Sequence, residues 1–130
     1  MVNNTNKGNK MNKTGLELLI DWAEERGFVS QSPSKEGLCT NVVEELGEFI
    51  EAYKQNDEHE KVDALSDIMV FCSTELTKMG YNPEKVIKET YREIQSRQGS
   101  WNSEGTKWVK DETPEAKAKW IKSDYSKCKL

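Results

Sequence analysis

Four stretches of the chain repeat apolar residues at the spacing of one helix face, and this periodicity limits the fold more than any other feature. Leu16, Leu19, Ile20 and Ala23 mark a first helix from about Gly15 to Arg26, with Thr14 as its N-cap and Gly27 as its stop. Phe28 to Ser32 reads as a loop, and Ser32-Pro33 opens a second helix, since proline suits the first helical turn. That helix places Leu38, Val42, Leu46, Phe49, Ile50 and Tyr53 on one stripe. Gln55-Asn56-Asp57 is a turn short enough to fold the second helix back on a third, about Glu58 to Lys78. The third helix is expected to bury Val62, Leu65, Ile68, Met69, Cys72 and Leu76, and Gly80 ends it. Asn82-Pro83 then caps a fourth helix to about Arg97, with Val86, Ile87, Thr90, Tyr91 and Ile94 as its apolar side.

Beyond Gln98-Gly99 the pattern decays. Trp101, Trp108, Trp120 and Tyr125 are scattered among Lys and Asp, and residues 113–122 have the makings of a short fifth helix. No strand alternation of useful length occurs. The expected fold is all-α, built from helical hairpins with an irregular C-terminal tail. The expected divisions are a disordered polar leader over 1–14, a helical domain over 15–98 and an aromatic, basic extension over 99–130 that packs on it. Met11 is an alternative start, which would make the first ten residues dispensable.

No apolar run approaches the roughly 20 residues of a membrane span, and the polar N-terminus lacks the apolar stretch of a secretory signal. A cytoplasmic protein with no membrane partner is the expectation. The three cysteines are too far apart for a metal knuckle or a secreted disulfide framework. Cys39 and Cys72 read as buried thiols and Cys128 as exposed.

A net charge of −4 conceals an asymmetry. From Gly15 to Asp67 there are fourteen Asp or Glu against four Lys or Arg, a balance of −10. From Lys88 to Leu130 ten bases face seven acids, a balance of +3. The acidic half would repel nucleic-acid phosphates unless a cation intervened, so nucleic acid is not an expected partner.

At 100° per residue, Glu44, Glu48 and Glu51 point away from the apolar stripe of the second helix, and Glu45 sits on its flank. On the third helix Glu60, Asp63 and Asp67 recur at i, i+3, i+7. Two helices joined by a short turn thus each carry a column of carboxylates. An ordinary solvated face has the same pattern. Three details favour a site: aspartates mid-helix, where they are poor formers; few basic partners at i, i+4; and apolar Val70 and Phe71 on the same side. Carboxylates gathered beside apolar groups need a cation, and hard oxygen ligands select magnesium, manganese or calcium.

The run Glu44-Glu45-Leu46-Gly47-Glu48 resembles the EExxE motif of the all-α, MazG-like nucleotide pyrophosphohydrolases, a superfamily that includes phosphoribosyl-ATP pyrophosphohydrolase and the dimeric dUTPases. Its second motif, ExxD, is met literally by Glu60-Lys61-Val62-Asp63. An ungapped reading instead puts Asp67 at the motif's aspartate, since Asp67-Ile68-Met69-Val70-Phe71 matches the apolar run that follows it. Ala64 then stands where the motif has glutamate. The resemblance spans about Leu38 to Ile94 and implies a four-helix-bundle-like MazG-type domain that cleaves a nucleoside triphosphate between its α and β phosphates, giving a monophosphate and pyrophosphate.

The implied metal ligands are Glu45, Glu48, Asp63 and Asp67, with Glu60 as an alternate, holding Mg²⁺ or Mn²⁺. Glu44 or Glu48 would be the catalytic base. Arg92, Arg97, Lys107 and Lys110 are candidate phosphate contacts, although each also reads as solubilising charge. The tryptophans would stack on a base or, as the plainer reading, pack the tail onto the bundle. His59, the only histidine, is a surface residue by its place near the turn. The resemblance further implies a homodimer or homotetramer. The alternatives are a dUTPase-like or phosphoribosyl-ATP-specific hydrolase, and a non-catalytic module that binds a partner through its acidic face.

Overall fold

A computed structural model describes residues 10–31, 33 and 35–130, with the side chain of Lys35 left aside. Helix α1 spans Gly15–Glu25. Thr14 Oγ1 accepts from the Glu17 backbone N–H at 3.2 Å while Glu17 reaches back to the Thr14 N–H, a reciprocal capping box. Gly27, at φ 76°, takes the left-handed conformation that ends the helix, and a 3₁₀ turn Phe28–Ser30 follows. Helix α2 is Lys35–Lys54 and α3 is Glu58–Lys78. Between them Asn56 adopts φ 56°, a turn conformation asparagine tolerates, and Asp57 caps α3 by accepting from the Glu60 N–H at 3.1 Å. Helix α4 runs Pro83–Ser96.

The first, third and fourth helices run close to their expected bounds, whereas Pro33 lies outside α2 instead of in its first turn; the fold is all-α as anticipated. The expected start at Ser32 lies outside the described residues, as does most of the expected leader. Of its described part, Lys10 pairs with Glu25 and Lys13 with Asp21, each at 2.7 Å. No helix among the described residues is long and apolar enough to cross a membrane.

The chain divides into two compact units, Met1–Pro83 with Leu130, and Glu84–Lys129. In the first, α2 packs along α3, while α1 and the 3₁₀ turn also lie against α3. The buried side chains are mostly small: Ala52 of α2 and Ala64, Ser73 and Thr77 of α3, with Ile20 and Ala23 contributed by α1. The larger apolar residues lie on faces that no described element covers. Leu46, Ile50 and Tyr53 of α2 and Val62, Leu65 and Met69 of α3, expected in the core, are exposed, and so are Ile87, Tyr91 and Ile94 of α4. The cysteines invert as well. Cys39 and Cys72 are exposed because they share those uncovered faces, whereas Cys128 is buried in a 3₁₀ turn, Tyr125–Cys128.

In the second unit the expectation of no strand fails. Strands β1 (Gly99–Trp101) and β2 (Trp108–Lys110) form a small antiparallel hairpin with Trp101 opposite Trp108. Their rings meet edge to face, with centroids 5.7 Å apart. Asn102 shapes the loop by accepting from the Thr106 and Lys107 N–H groups, and Gly105 takes φ 69°. Each strand is only three residues, too short to show alternation. The fifth helix contracts from the expected 113–122 to α5, Pro114–Lys117. It stops because Trp120 is drawn under Arg97, whose guanidinium lies 5.5 Å from the ring centroid, and the Ile121 N–H donates to Ser96 Oγ at 2.8 Å.

Candidate functional site

The capped turn at Asn56-Asp57 sets the register between α2 and α3, and with it the register of their carboxylates. Glu45 is the focus. Its side chain is half-buried on the flank of α2, and one oxygen, Oε2, is buried with no hydrogen-bond partner. Burial, a side-chain hydrogen bond with Glu48 and the charges of Glu48, Asp67 and Asp63 together push its carboxyl up to about 7. The three residues expected to share a metal with Glu45 thus bear on it from two helices.

Asp67 influences Glu45 more strongly than Asp63 does. Asp67 is half-buried, whereas Asp63, Glu44, Glu48 and Glu60 are exposed. Glu60 belongs to the first turn of α3, where the Asp57 cap holds its backbone. Ala64 faces the α2–α3 seam at 1% exposure, so that position has no room for a carboxylate. No salt bridge among the described residues engages Glu45, Glu48, Asp63 or Asp67. The nearest basic residue along α3, Lys61, is directed to Glu58 at 3.8 Å and to the Tyr53 ring at 5.1 Å.

The donor set consists of carboxylate oxygens alone, and one of them is a buried orphan; both facts fit a hard divalent cation. The carboxylates are gathered without being closed. Among the described residues no three His, Cys, Asp or Glu side chains already stand as a metal-holding group.

The four basic candidates lie in the second unit and differ in how far they are engaged. Arg92 donates to both oxygens of Glu89, at 2.5 and 3.3 Å, and Arg97 donates to Glu93 at 2.7 Å. Glu89 also accepts from the Asp124 N–H at 2.9 Å, and Glu93 accepts from Ser123 Oγ at 2.7 Å. The Arg92 guanidinium, with the Asp124 amide, holds the Glu89 carboxyl down at about 2. Ser123 and Arg97 likewise lower that of Glu93. Lys107 and Lys110 are exposed on the hairpin, where Lys110 and Trp108 border an open cleft. Sequence reasoning missed this anchoring of the tail by Glu89 and Glu93. Its signal was available in the i, i+3 and i, i+4 spacing of each glutamate to its arginine.

Residues 22–93 match the family model for phosphoribosyl-ATP pyrophosphohydrolase, from late in α1 through most of α4. The chain belongs to the phosphoribosyl-ATP pyrophosphohydrolase family. It thereby falls in the MazG-like all-α superfamily, and its general activity is that of a pyrophosphohydrolase. The match includes every acidic residue of the cluster and stops before the tryptophan hairpin. No curated protein and no solved structure matches the chain.

Proposed function

We propose that this chain is a magnesium-dependent nucleoside triphosphate pyrophosphohydrolase that cleaves between the α and β phosphates. The observation that carries this reading is Glu45: a half-buried carboxyl beside three other carboxylates, with an orphaned oxygen and no basic partner. Such a group is costly to keep ionised unless a cation joins it. Glu45, Glu48, Asp63 and Asp67 are the proposed ligands, and Glu60 is the less favoured alternate because its exposed side chain stands in the first turn of α3. The stronger influence of Asp67 on Glu45 supports the register that places Asp67 at the motif's aspartate.

A bound Mg²⁺ or Mn²⁺ would neutralise phosphate charge and polarise the phosphoryl oxygen. The protein's own part is to orient the triphosphate and take a proton from the attacking water. Glu48 and Glu44, exposed on the outer side of α2, are the proposed bases. Lys107 and Lys110 are the favoured phosphate contacts because the guanidinium groups of Arg92 and Arg97 are already held by Glu89 and Glu93.

A second copy of the chain is the proposed cover for the apolar rows Val43, Leu46, Ile50, Tyr53 and Val62, Leu65, Met69, each exposed by 47% or more. Both rows advance by three and four residues, the spacing at which one helix face meets another. Sedimentation should show a dimer or tetramer, and a monomeric wild type would dismiss this part. The test of the activity is pyrophosphate release from a panel of canonical and modified nucleoside triphosphates and phosphoribosyl-ATP, with Mg²⁺, Mn²⁺ or EDTA. Turnover of none of them with metal would overturn the assignment.

A further inference from the structure

The β1–β2 hairpin lies beyond the family-matched residues and carries an aromatic platform with a cation beside it. Pairing of Gly99 with Lys110 and of Trp101 with Trp108 puts these four positions on one face of the hairpin. Gly99 is what lets Trp108 lie flat: a side chain there would begin 2.6 Å from Trp108 Nε1, so the indole rests directly on the β1 backbone. Trp101 meets it edge to face at 83°. Packed on two sides, Trp108 is still 51% exposed and Trp101 61%. An indole fixed in this way has already given up its rotamer freedom, which lowers the cost of stacking a ligand on it.

Trp108, Lys110, Asp111 and Glu112 line an open cleft of about 720 Å³, within the roughly 300–1,000 Å³ of small-molecule sites. Lys110 makes no ion pair among the described residues. Two residues along a strand are about 6.8 Å apart, which is close to the distance between base and phosphate in a nucleotide.

We propose that the hairpin cleft binds a purine nucleoside monophosphate, with the base stacked on Trp108 and the phosphate on the Lys110 ammonium. The inference shares only Lys110 with the hydrolase reading, and its test does not depend on that reading. Trp108 presents a fused two-ring plane, which a purine covers fully and a pyrimidine only in part. Charge sets the number of phosphates. The ammonium of Lys110 is accompanied in the cleft by the carboxylates of Asp111 and Glu112. Asp111 is committed to the Thr113 N–H at 3.0 Å, and Glu112 has no partner among the described residues. A single phosphate finds its counterion at Lys110. Further phosphates, or the repeating charge of a nucleic acid, would be set against Glu112.

Titrations of the full chain in EDTA, followed by NMR of the indole N–H groups, read binding at the hairpin without metal or turnover. AMP should shift the Trp108 indole signal, which is identified by its loss in Trp108→Phe. AMP should also bind about fivefold more tightly than adenosine, the worth of one exposed ion pair. Lys110→Gln should remove that advantage and leave adenosine binding unchanged. Trp108→Ala should weaken AMP about tenfold; because that change can loosen the hairpin, Trp108→Phe serves beside it and, keeping a ring, should weaken AMP less. GMP should match AMP, while UMP and CMP bind several times more weakly. Glu48→Gln should leave AMP binding in EDTA as it is. An unmoved Trp108 signal, AMP no tighter than adenosine, pyrimidines equal to purines, or α,β-methylene-ATP binding more tightly than AMP in EDTA overturns the assignment. Pyrophosphate release separates the two claims. AMP binding of this kind without turnover keeps the cleft and removes the hydrolase; turnover in a chain whose Trp108 signal AMP does not move does the reverse.

Discussion

Glu45 and Glu89 are the same side chain in opposite circumstances. Glu45 lies against other carboxylates, and its carboxyl is pushed up to about 7. Glu89 lies against Arg92 and the Asp124 amide, and its carboxyl is held down at about 2. The first is an anion without a counterion; the second already has its partners. The contrast teaches where an external cation can act. An acidic residue count cannot separate the two, because both sit on helices at ordinary spacing, but the identity of the nearest charge does.

The largest expected effect is on turnover. Glu48→Gln keeps the side chain's size and removes one charge beside Glu45, and should cut pyrophosphate release on the order of 100-fold or more, since even outer partners of a metal ligand are worth 10–100-fold. Circular dichroism should show the helices intact, and unchanged turnover would dismiss Glu48 as a ligand. Glu89→Gln should cost far less at neutral pH. If both variants lost the same activity, the distinction between free and partnered carboxylates would not describe function.

Between the two aspartates, Asp67→Asn should be the more damaging in the same assay, because Asp67 is half-buried and acts more strongly on Glu45. An Asp67→Asn protein more active than Asp63→Asn would restore the Glu60–Asp63 register.

The pH responses should run in opposite directions. Glu45 has its folded value, about 7, above its ordinary 4.5, so the folded state binds the proton more tightly. Its contribution to stability is fully present below about 4.5 and lost as pH rises through 7. Thermal melts of EDTA-treated protein should show this loss, added Mg²⁺ should reverse it at pH 8 and do little at pH 5, and Glu45→Gln should flatten the slope. Glu89, with a folded value of about 2 against 4.5, contributes stability that is present above about 4.5 and lost as pH falls toward 2. This is the smallest effect, since the pair is partly solvated. It is best read locally, as a lower protection factor for the Asp124 amide in acid.

The helices were legible from sequence because their ends are written in local chemistry: the Thr14 capping box, Gly27, the Asp57 cap and Pro83 all act within a few residues. The grouping of Glu45, Glu48, Asp63 and Asp67 was legible for a related reason, since a short turn leaves two helices little freedom of register. What stayed hidden depended on which side of a helix finds a neighbour. Periodicity marks an apolar stripe without saying what covers it, so Leu46, Tyr53, Val62 and Met69 were expected inside and are exposed. The positions actually buried on α2 and α3 include Ala52, Ala64, Ser73 and Thr77, residues too small or polar to stand out in an apolar pattern. The β1–β2 hairpin escaped notice because three-residue strands carry no periodicity, and what shows is the packing of Trp108 over Gly99.

The way Glu89 and Glu93 hold Ser123 and Asp124 has a consequence for ionic strength. These attachments are charge-assisted and partly open to water, so dissolved ions weaken them, over a screening length of about 8 Å at physiological salt. The same ions ease the mutual repulsion around Glu45. Raising sodium chloride should therefore loosen the C-terminal segment while it steadies the α2–α3 hairpin, and one protein would report two opposite salt responses from two stretches of its chain.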